Sequence, residues 1–319
     1  MTGATAATGA APRVVAVIVT YNRRELLLEA LAALQAQSRP PDAVVVVDNA
    51  SDDGTADAVR EQYGEVRLVR LPTNTGGAGG FAAGLAIALD DGADLVWLMD
   101  DDTIPHPPAL GELLRAREGY PGGRPALLAS RVVWTDGRDH PMNTPRPKPL
   151  ANRRERRIAD ALGCVPIRSA SFVSVLVDAA SCRERGLPIA DYFLWNDDFE
   201  FTTRLLRGNF GLYCPSSVVV HKTAKFGSTD VDPGERFFYE VRNKVWMLTR
   251  SKSLGPLDRS LYTGATLRRW LRLLYRSANR RVLLGALRRG LLEGLRRGPR
   301  PTADVLAEAG VPASARPRG

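Results

Sequence analysis

Asp94-Leu95-Val96-Trp97-Leu98-Met99-Asp100-Asp101-Asp102 is an apolar run that stops on three adjacent carboxylates. A continuous apolar stretch of this length reads as a strand covered on both faces. The carboxylates cannot follow it into a core, so they mark the strand's carboxyl end. Three adjacent carboxylates repel one another unless water or a cation neutralises them. In extended chain, residues two apart point the same way, so Asp100 and Asp102 can share one ligand. Oxygen donors of this kind suit Mg2+ or Mn2+, ions that commonly bridge carboxylates and nucleotide phosphates. A solvated acidic turn is the competing reading, and it explains less after an apolar strand.

Upstream, the same pattern recurs. Residues 14–19 form an apolar run that ends at Thr20-Tyr21-Asn22 and leads into a helical stretch over 25–37. Residues 43–47 end in Asp48, followed by Asn49-Ala50-Ser51-Asp52-Asp53-Gly54-Thr55 and a second helical stretch. Residues 66–71 lead to Asn74-Thr75-Gly76-Gly77-Ala78-Gly79-Gly80-Phe81, read as a Gly-rich loop before a helix over 81–89. Apolar strands alternating with helices predict an α/β fold with a parallel sheet, and such sheets bind ligands outside the carboxyl ends of their strands. The polar clusters at 20–22, 48–53, 74–80 and 100–102 should therefore meet in one crevice. Downstream, strands are predicted over 126–134 and 171–178, with a Pro- and Arg-rich loop over the site between them at 135–168. A short helix over 197–207, a strand over 212–220 ending at His221 and a helix over 235–249 complete the body.

The glycine run is weak on its own. Gly77, Gly79 and Ala82 satisfy the dinucleotide pattern G-x-G-x-x-A, but the run follows the third strand rather than the first, and no Gly-Lys-Ser/Thr is present for a P-loop. A flexible loop competes with a backbone that approaches a diphosphate or sugar at a helix N-terminus. Trp195-Asn196-Asp197-Asp198-Phe199-Glu200 puts three carboxylates at a helix start. The helix dipole favours them there, and Asp197 could simply cap. Capping leaves Trp195 unexplained; an indole is a platform for a sugar ring, and a carboxylate beside it can act as general base. His221 follows Val218-Val219-Val220. Beside a metal implied by Asp100 and Asp102 it reads as a third ligand rather than a strand-end histidine; His106 and His140 have no comparable setting.

The chain has 319 residues, 44% hydrophobic and 25% charged, which excludes wholesale disorder. Cys164, Cys182 and Cys214 form no CxxC, so neither a disulfide framework nor a zinc site is expected, and a reducing compartment fits. Residues 1–12 lack the basic start and apolar stretch of a signal peptide, and no run approaches the roughly 18 apolar residues of a spanning helix. The expected location is the cytoplasmic face of the cell membrane, with peripheral contact only. The net charge of +9 is concentrated between 268 and 300, which holds eleven arginines and one acid, Glu293; the rest of the chain is close to neutral. Arg268, Arg272, Arg276 and Arg280 are four apart, with Trp270, Leu271, Leu274, Tyr275 and Ala278 on or near another face. That predicts an amphipathic basic helix on an anionic membrane surface, although a merely solvated helix pair competes. No nucleic-acid motif accompanies the charge, so nucleic acid is not an expected partner.

Together, Thr20-Tyr21-Asn22-Arg23, the Asp48–Thr55 segment, the glycine run, Asp100–Asp102 and Trp195–Glu200 resemble the family-2 glycosyltransferases of the GT-A fold over residues 13–250. Within that family the Asn-x-Gly-Gly-Ala-Gly-Gly-Phe run and the triple Asp are most similar to galactofuranosyltransferases of actinobacterial arabinogalactan synthesis, and the chain length resembles the initiating type. The resemblance implies a Rossmann-like nucleotide-sugar-binding domain with a mostly parallel central sheet, plus C-terminal basic helices. It divides the chain into a disordered 1–12, the transferase domain 13–250, a membrane-associating helical region 251–298 and a flexible tail 299–319. It implies inverting transfer from UDP-galactofuranose to a rhamnose-capped, polyprenyl-diphosphate-linked acceptor. Asp198 would be the catalytic base, Asp100, Asp102 and His221 the metal site for Mn2+ or Mg2+, and Asp48 a uridine contact. Asp197 and Glu200 would bind sugar hydroxyls. Thr20, Asn22, Arg23, Asn74, Gly76, Gly77, Gly79, Gly80, Asp100, Asp101 and Trp195 would complete the substrate and nucleotide contacts. One departure stands out: Trp195 is one residue further from the Asp pair than in the polymerising members, with Asn196 between. Self-association is left open.

Three alternatives compete. A rhamnosyltransferase of the same family would carry the same base and metal clusters. A nicotinamide-dependent oxidoreductase would use Gly77-x-Gly79-x-x-Ala82 and leave the triple Asp unexplained. A non-catalytic membrane scaffold on the same fold would tolerate loss of acidic clusters that are all present.

Overall fold

The computed structural model describes residues 11–121, 124–227 and 232–311. The first strand, β1 (Val14–Thr20), is buried along its whole length. Its odd-numbered valines, Val15, Val17 and Val19, feed one core, and Val14, Ala16 and Ile18 feed another on the opposite face. This is why the run is apolar without alternation. After α1 (Arg24–Gln35) come β2 (Ala43–Asp48), α2 (Thr55–Gln62), β3 (Arg67–Arg70), α3 (Gly76–Asp90) and β4 (Leu95–Asp100). These four strands lie in the order β3-β2-β1-β4, all parallel, with α3 on one face and α1 on the other.

A short β5 (Thr103–Pro105), α4 (Ala109–Glu118) and β6 (Leu127–Val133) follow. Next come β7 (Arg146–Pro147), α5 (Arg153–Ala161), β8 (Val165–Ser169), β9 (Ser174–Asp178), α6 (Ala179–Arg185), α7 (Asp197–Leu205) and β10 (Gly211–His221). Strand β9 runs antiparallel between β4 and β6, and β10 pairs parallel with β6 and antiparallel with β5 and β8. The sheet thus joins a parallel first half to a mixed second half, the α/β arrangement of the GT-A fold. The segment 135–168, expected as one loop, instead contains β7, α5 and the start of β8. Asn152 caps α5 by accepting from the Glu155 amide at 2.8 Å, a signal that the density of Pro and Arg obscured.

The glycine run is a second correction. Helix α3 begins at Gly76, five residues before the expected start, so most of the run is helix rather than loop. A Cβ on Gly80 would lie 2.4 Å from Val19 Cγ1, and one on Gly84 2.3 Å from Val17 Cγ1. These glycines let the helix lie directly on β1. The dinucleotide reading fails here too, because Gly77, the position of the fingerprint's turn glycine, already lies inside the helix.

The C-terminal helices are α8 (Phe237–Thr249), α9 (Pro256–Arg276), α10 (Arg280–Arg296) and α11 (Thr302–Glu308). Gly290 and Gly294 bring α10 onto α8, since a Cβ on either would lie 2.8 Å from Val241 Cβ or Val245 Cβ. Ser277 breaks the arginine helix in extended conformation, so Arg280 belongs to α10 and not to the row Arg268, Arg272, Arg276. Part of the expected tail is ordered: Val305, Leu306, Ala309 and Val311 join the core beside α3. Prolines at 299 and 301 end α10's reach and start α11 rather than fraying the chain. The rest of the expected unstructured ends, 1–10 and 312–319, lies outside the described residues. Among the described residues, no helix is long and apolar enough to cross a membrane.

Candidate active site

Strand ends bring the acidic residues together. Asp100 closes β4, and the next residues turn into β5, whose antiparallel register sets Thr103 opposite His221 of β10. The Lys222 amide donates to the Asp102 carbonyl at 2.8 Å. One donor atom from each of Asp100, Asp102 and His221 lies within 4.8 Å of the others. His221 Nε2 is 3.0 Å from Asp102 Oδ1. His221 Nδ1 faces Asn143 Oδ1 at 3.0 Å, and the Asn143 amide donates to Ser171 Oγ at 3.2 Å. An oxygen that can only accept fixes the proton on Nδ1 and leaves Nε2 as a ligand. Two carboxylates and an imidazole whose Nε2 faces them fit a divalent cation.

Electrostatics agree. Burial, then repulsion from Asp102, pushes Asp100 up to about 7, His221 partly offsetting them. Burial also raises Asp101, to about 6, although Arg23 opposes it. Asp102 is pushed up by burial but held below the usual carboxylate range by His221 and Arg23. Burial lowers His221, yet contact with Asp102 and the charge of Asp100 raise it further. The cluster is short of positive charge.

The remaining expected residues separate into groups. Arg23 reaches over the cluster, its Nη1 2.6 Å from Asp102 Oδ2 and 3.3 Å from Asp101 Oδ1. Thr20 is buried and its hydroxyl donates to Asp101 Oδ2 at 2.8 Å, so it holds Asp101 rather than reaching a ligand itself. Asn22 accepts from the Asp52 amide at 2.8 Å with a positive φ of 53°, which ties the end of β1 to the loop after β2. Asp48 is fully buried; Oδ1 accepts from the Ser51 amide at 2.9 Å, and Oδ2 has no hydrogen-bond donor. Asn74 Oδ1 accepts from the Gly76 amide at 2.8 Å. Of the four glycines, Gly77 alone has open space at its Cβ position; Gly79 would strike Thr75, Gly80 would strike Val19 and Gly76 would strike the Phe193 carbonyl. Close packing therefore accounts for Gly76, Gly79 and Gly80, in place of the expected ligand approach.

Phe193, Trp195 and Asn196 all have positive φ, at 62°, 66° and 66°. Non-glycine residues held this way cost of order 1–3 kcal/mol each and persist where surrounding structure fixes them. Here the Asn243 amide of α8 donates to the carbonyls of Tyr192, Leu194 and Trp195, each at 2.9 Å. Asn196, the inserted residue, donates to Glu240 Oε2 at 2.9 Å and makes no cap bond to α7. Trp195 is 37% exposed. Its neighbours Asp197 and Asp198 sit in different electrostatic surroundings. Burial raises Asp197 well above the usual range, with Asp198 and Asp100 adding repulsion. Burial also raises Asp198, but the Phe199 amide, Lys244 and Arg146 pull it back. The charge of Asp100 therefore weighs on Asp197, and Lys244 and Arg146 favour the ionised form of Asp198. Glu200 is a correction: it is buried, it chelates Arg204 at 2.8 and 3.0 Å, and it accepts from Ser251 at 2.6 Å. Both oxygens serve the fold, so no sugar hydroxyl is left to them.

Sequence reading missed Asn143, Asn243, Lys244 and Arg146. Asn49 was also missed; it accepts from the Thr75 amide and hydroxyl and donates to the Gly76 carbonyl, joining β2 to α3. Asn49 lay inside the 48–53 cluster without being given a role of its own, and the other four lie in no carboxylate or glycine cluster.

A GT-A-type sheet with acidic clusters at its strand ends is the architecture of a class of glycosyltransferases. The profile of glycosyl transferase family 2 matches residues 15–163. The chain is 32% identical to galactofuranosyltransferase GlfT1 of Mycobacterium tuberculosis over 74% of its own length and 82% of that protein. It is 30% identical to the N-acetylglucosaminyl-diphospho-decaprenol L-rhamnosyltransferase of M. tuberculosis, over 68% and 78%. In fold it is similar to S. aureus TarS 1–349 in complex with UDP-GlcNAc, with TM-score 0.59, 17% identity, and coverage of 88% and 81%. The chain belongs to glycosyl transferase family 2 and is a glycosyltransferase. Nothing in these likenesses supports the oxidoreductase alternative.

Proposed function

We propose that this chain transfers galactofuranose from UDP-galactofuranose, with inversion, to a rhamnose-capped polyprenyl-diphosphate-linked glycan. The observation that carries the reading is the Asp100–Asp102–His221 donor set at the strand ends, in a chain 32% identical to a galactofuranosyltransferase. Asp198, raised by burial, accepts the proton of the acceptor hydroxyl as it attacks the anomeric carbon. Asp197 faces the donor side, and Trp195 offers its exposed ring to a sugar. Asp48, buried beside Arg70, anchors the loop proposed to meet the uridine, and the open backbone at Gly77 is where a diphosphate can approach α3. A Mn2+ or Mg2+ held by Asp100, Asp102 and His221 would supply positive charge opposite the departing diphosphate. Arg23, now spread over Asp101 and Asp102, adds a second cation there.

Peripheral attachment to the cytoplasmic face of the membrane through residues 251–298 belongs to the same proposal. Leu257, Leu261, Leu267, Leu271 and Tyr275 of α9 are exposed. Arg268, Arg272 and Arg276, on the same helix, have no ion-pair partner among the described residues. An apolar face edged by cations suits insertion at an anionic headgroup layer.

A rhamnosyltransferase remains the second reading, favoured by the 30% identity to one. The test is a donor screen with a lipid-linked acceptor mixture, read by mass spectrometry. Added mass from UDP-galactofuranose, lost in excess EDTA, is the expected result. Transfer from a nucleotide-rhamnose alone would replace the reading with the second one.

A further inference from the structure

Between the start of α8 and the face of α10 lies a cavity of about 840 Å³. Four arginines, Arg236, Arg289, Arg296 and Arg297, line it against two carboxylates, Glu235 and Glu293. Both carboxylates are already used: Glu235 pairs with Arg289, while Glu293 pairs with Arg297 at 2.5 Å and Arg242 at 3.3 Å. Arg236 and Arg296 have no ion-pair partner among the described residues. The remaining wall is apolar, made by Phe238, Tyr239 and Leu292. Arg242, buried beneath, stacks on the Phe238 and Tyr239 rings at 5.2 Å and on Trp246 at 4.4 Å, which holds the aromatic wall in place.

A ligand for this cavity needs multiple phosphate-type oxygens for the guanidinium forks and an aliphatic portion for the wall. The cavity also adjoins the acceptor loop. Tyr239 stacks on Phe193 with centroids 5.1 Å apart and planes at 24°. The next residue, Glu240, holds Asn196. Lys244, which acts on Asp198, follows on the same helix, about 7.5 Å along the axis from Tyr239 at the rise of an α-helix. Beyond the mouth, Leu295 of α10 is 62% exposed. We infer that this cavity between α8 and α10 binds the prenyl diphosphate of the acceptor, with Arg236 and Arg296 taking the diphosphate and Leu292 and the aromatic wall the first isoprene units. The inference rests on the acceptor proposed above, and it names the place that holds the acceptor's lipid end while its sugar reaches Asp198.

The test uses the full chain and farnesyl diphosphate as the probe, with Arg236→Gln/Arg296→Gln and, separately, Leu292→Asp. All three positions are exposed, and an unchanged melting temperature verifies folding. Expected are binding of farnesyl diphosphate that UDP does not displace, at least tenfold weaker binding in each variant, and much weaker binding of inorganic diphosphate. The KM for a lipid-linked acceptor should rise at least tenfold while the donor KM stays within twofold. Displacement by UDP, equal binding of inorganic diphosphate, or variants that bind the probe as the native chain does would each overturn the inference. So would variants that lose only phosphatidylglycerol vesicles, which would make the arginines a membrane patch. If the probe binds as expected but no galactofuranose is transferred, the cavity stands and the donor reading falls. If transfer proceeds with an unchanged acceptor KM, the cavity falls and the donor reading stands.

Discussion

Two neighbouring carboxylates at the start of α7 have been given different work by their surroundings, and that difference can be measured. A general base contributes typically 10²–10⁴-fold in rate, about 3–5 kcal/mol of barrier. Asp198→Asn should lose that factor in single-turnover transfer while UDP-sugar affinity holds, because the proposal seats the donor's diphosphate at the Asp100–Asp102–His221 set. If Asp197→Asn is dead and Asp198→Asn stays within tenfold of the native rate, the base is one residue earlier. The pH profile adds a check. A base must be ionised, so activity rises with pH through its pKa, and burial sets that limb above the ordinary carboxylate range. Lys244 favours the ionised form, so Lys244→Met should move the limb to still higher pH; an unmoved limb would mean that another group titrates. Asn143 acts through His221. Removing its carbonyl frees the imidazole to rotate and change tautomer, so Asn143→Ala should weaken Mn2+ binding by about 10–100-fold, as read by Mn2+ paramagnetic resonance without any substrate. Equal affinity would reduce Asn143 to a packing residue. At this scale the sequence was half legible. Carboxylates announce themselves by clustering, whereas Asn143 and Asn243 act at sequence distances of 78 and about 50 residues, with nothing local to mark them.

Among the elements, α3 carries the clearest lesson. Its glycines were legible as a requirement for close approach, but not for what approaches: the partners are Val17, Val19, Thr75 and Phe193 rather than a ligand. A side-chain-free helix face against a strand and a phosphate cradle leave the same trace in one sequence, because each demands only a missing Cβ. The two uses can be parted experimentally. Gly80→Ala drives a methyl to within 2.4 Å of Val19 and should cost about 1–3 kcal/mol of stability in denaturant unfolding. Gly77→Ala meets nothing within 4 Å, so stability should hold or rise while UDP affinity falls. A stable Gly80→Ala variant would refute the packing account. The strands, by contrast, were readable because burial on both faces leaves an unbroken apolar run. The breakdown came between 135 and 168, where α5 carries four arginines among nine residues and presents little apolar face.

Over the whole molecule, charge is partitioned. Several arginines of the C-terminal segment work internally: Arg297 and Arg300 clasp Asp191, and Arg289 pairs with Glu235. This lessens the basic excess left for a surface and shifts weight to the exposed leucines of α9. Vesicle flotation should therefore show binding to phosphatidylglycerol vesicles that falls with salt and that Leu261→Ser/Leu271→Ser weakens at low salt without changing the melting temperature. Binding untouched by that pair would leave charge alone responsible. The family resemblance made the catalytic half recognisable, and the helical extension was visible only as composition, because amphipathic helices gain their partners from tertiary packing. The pairing of β5 with β10 has one more effect. His221 joins Asp102 only when a strand more than a hundred residues later has threaded between β6 and β8. A nascent or truncated chain can complete β1 to β4 and display its aspartates, yet it has no histidine to set beside them. Under the proposed function, cation retention would certify finished assembly, and half-made copies would leave the donor pool untouched.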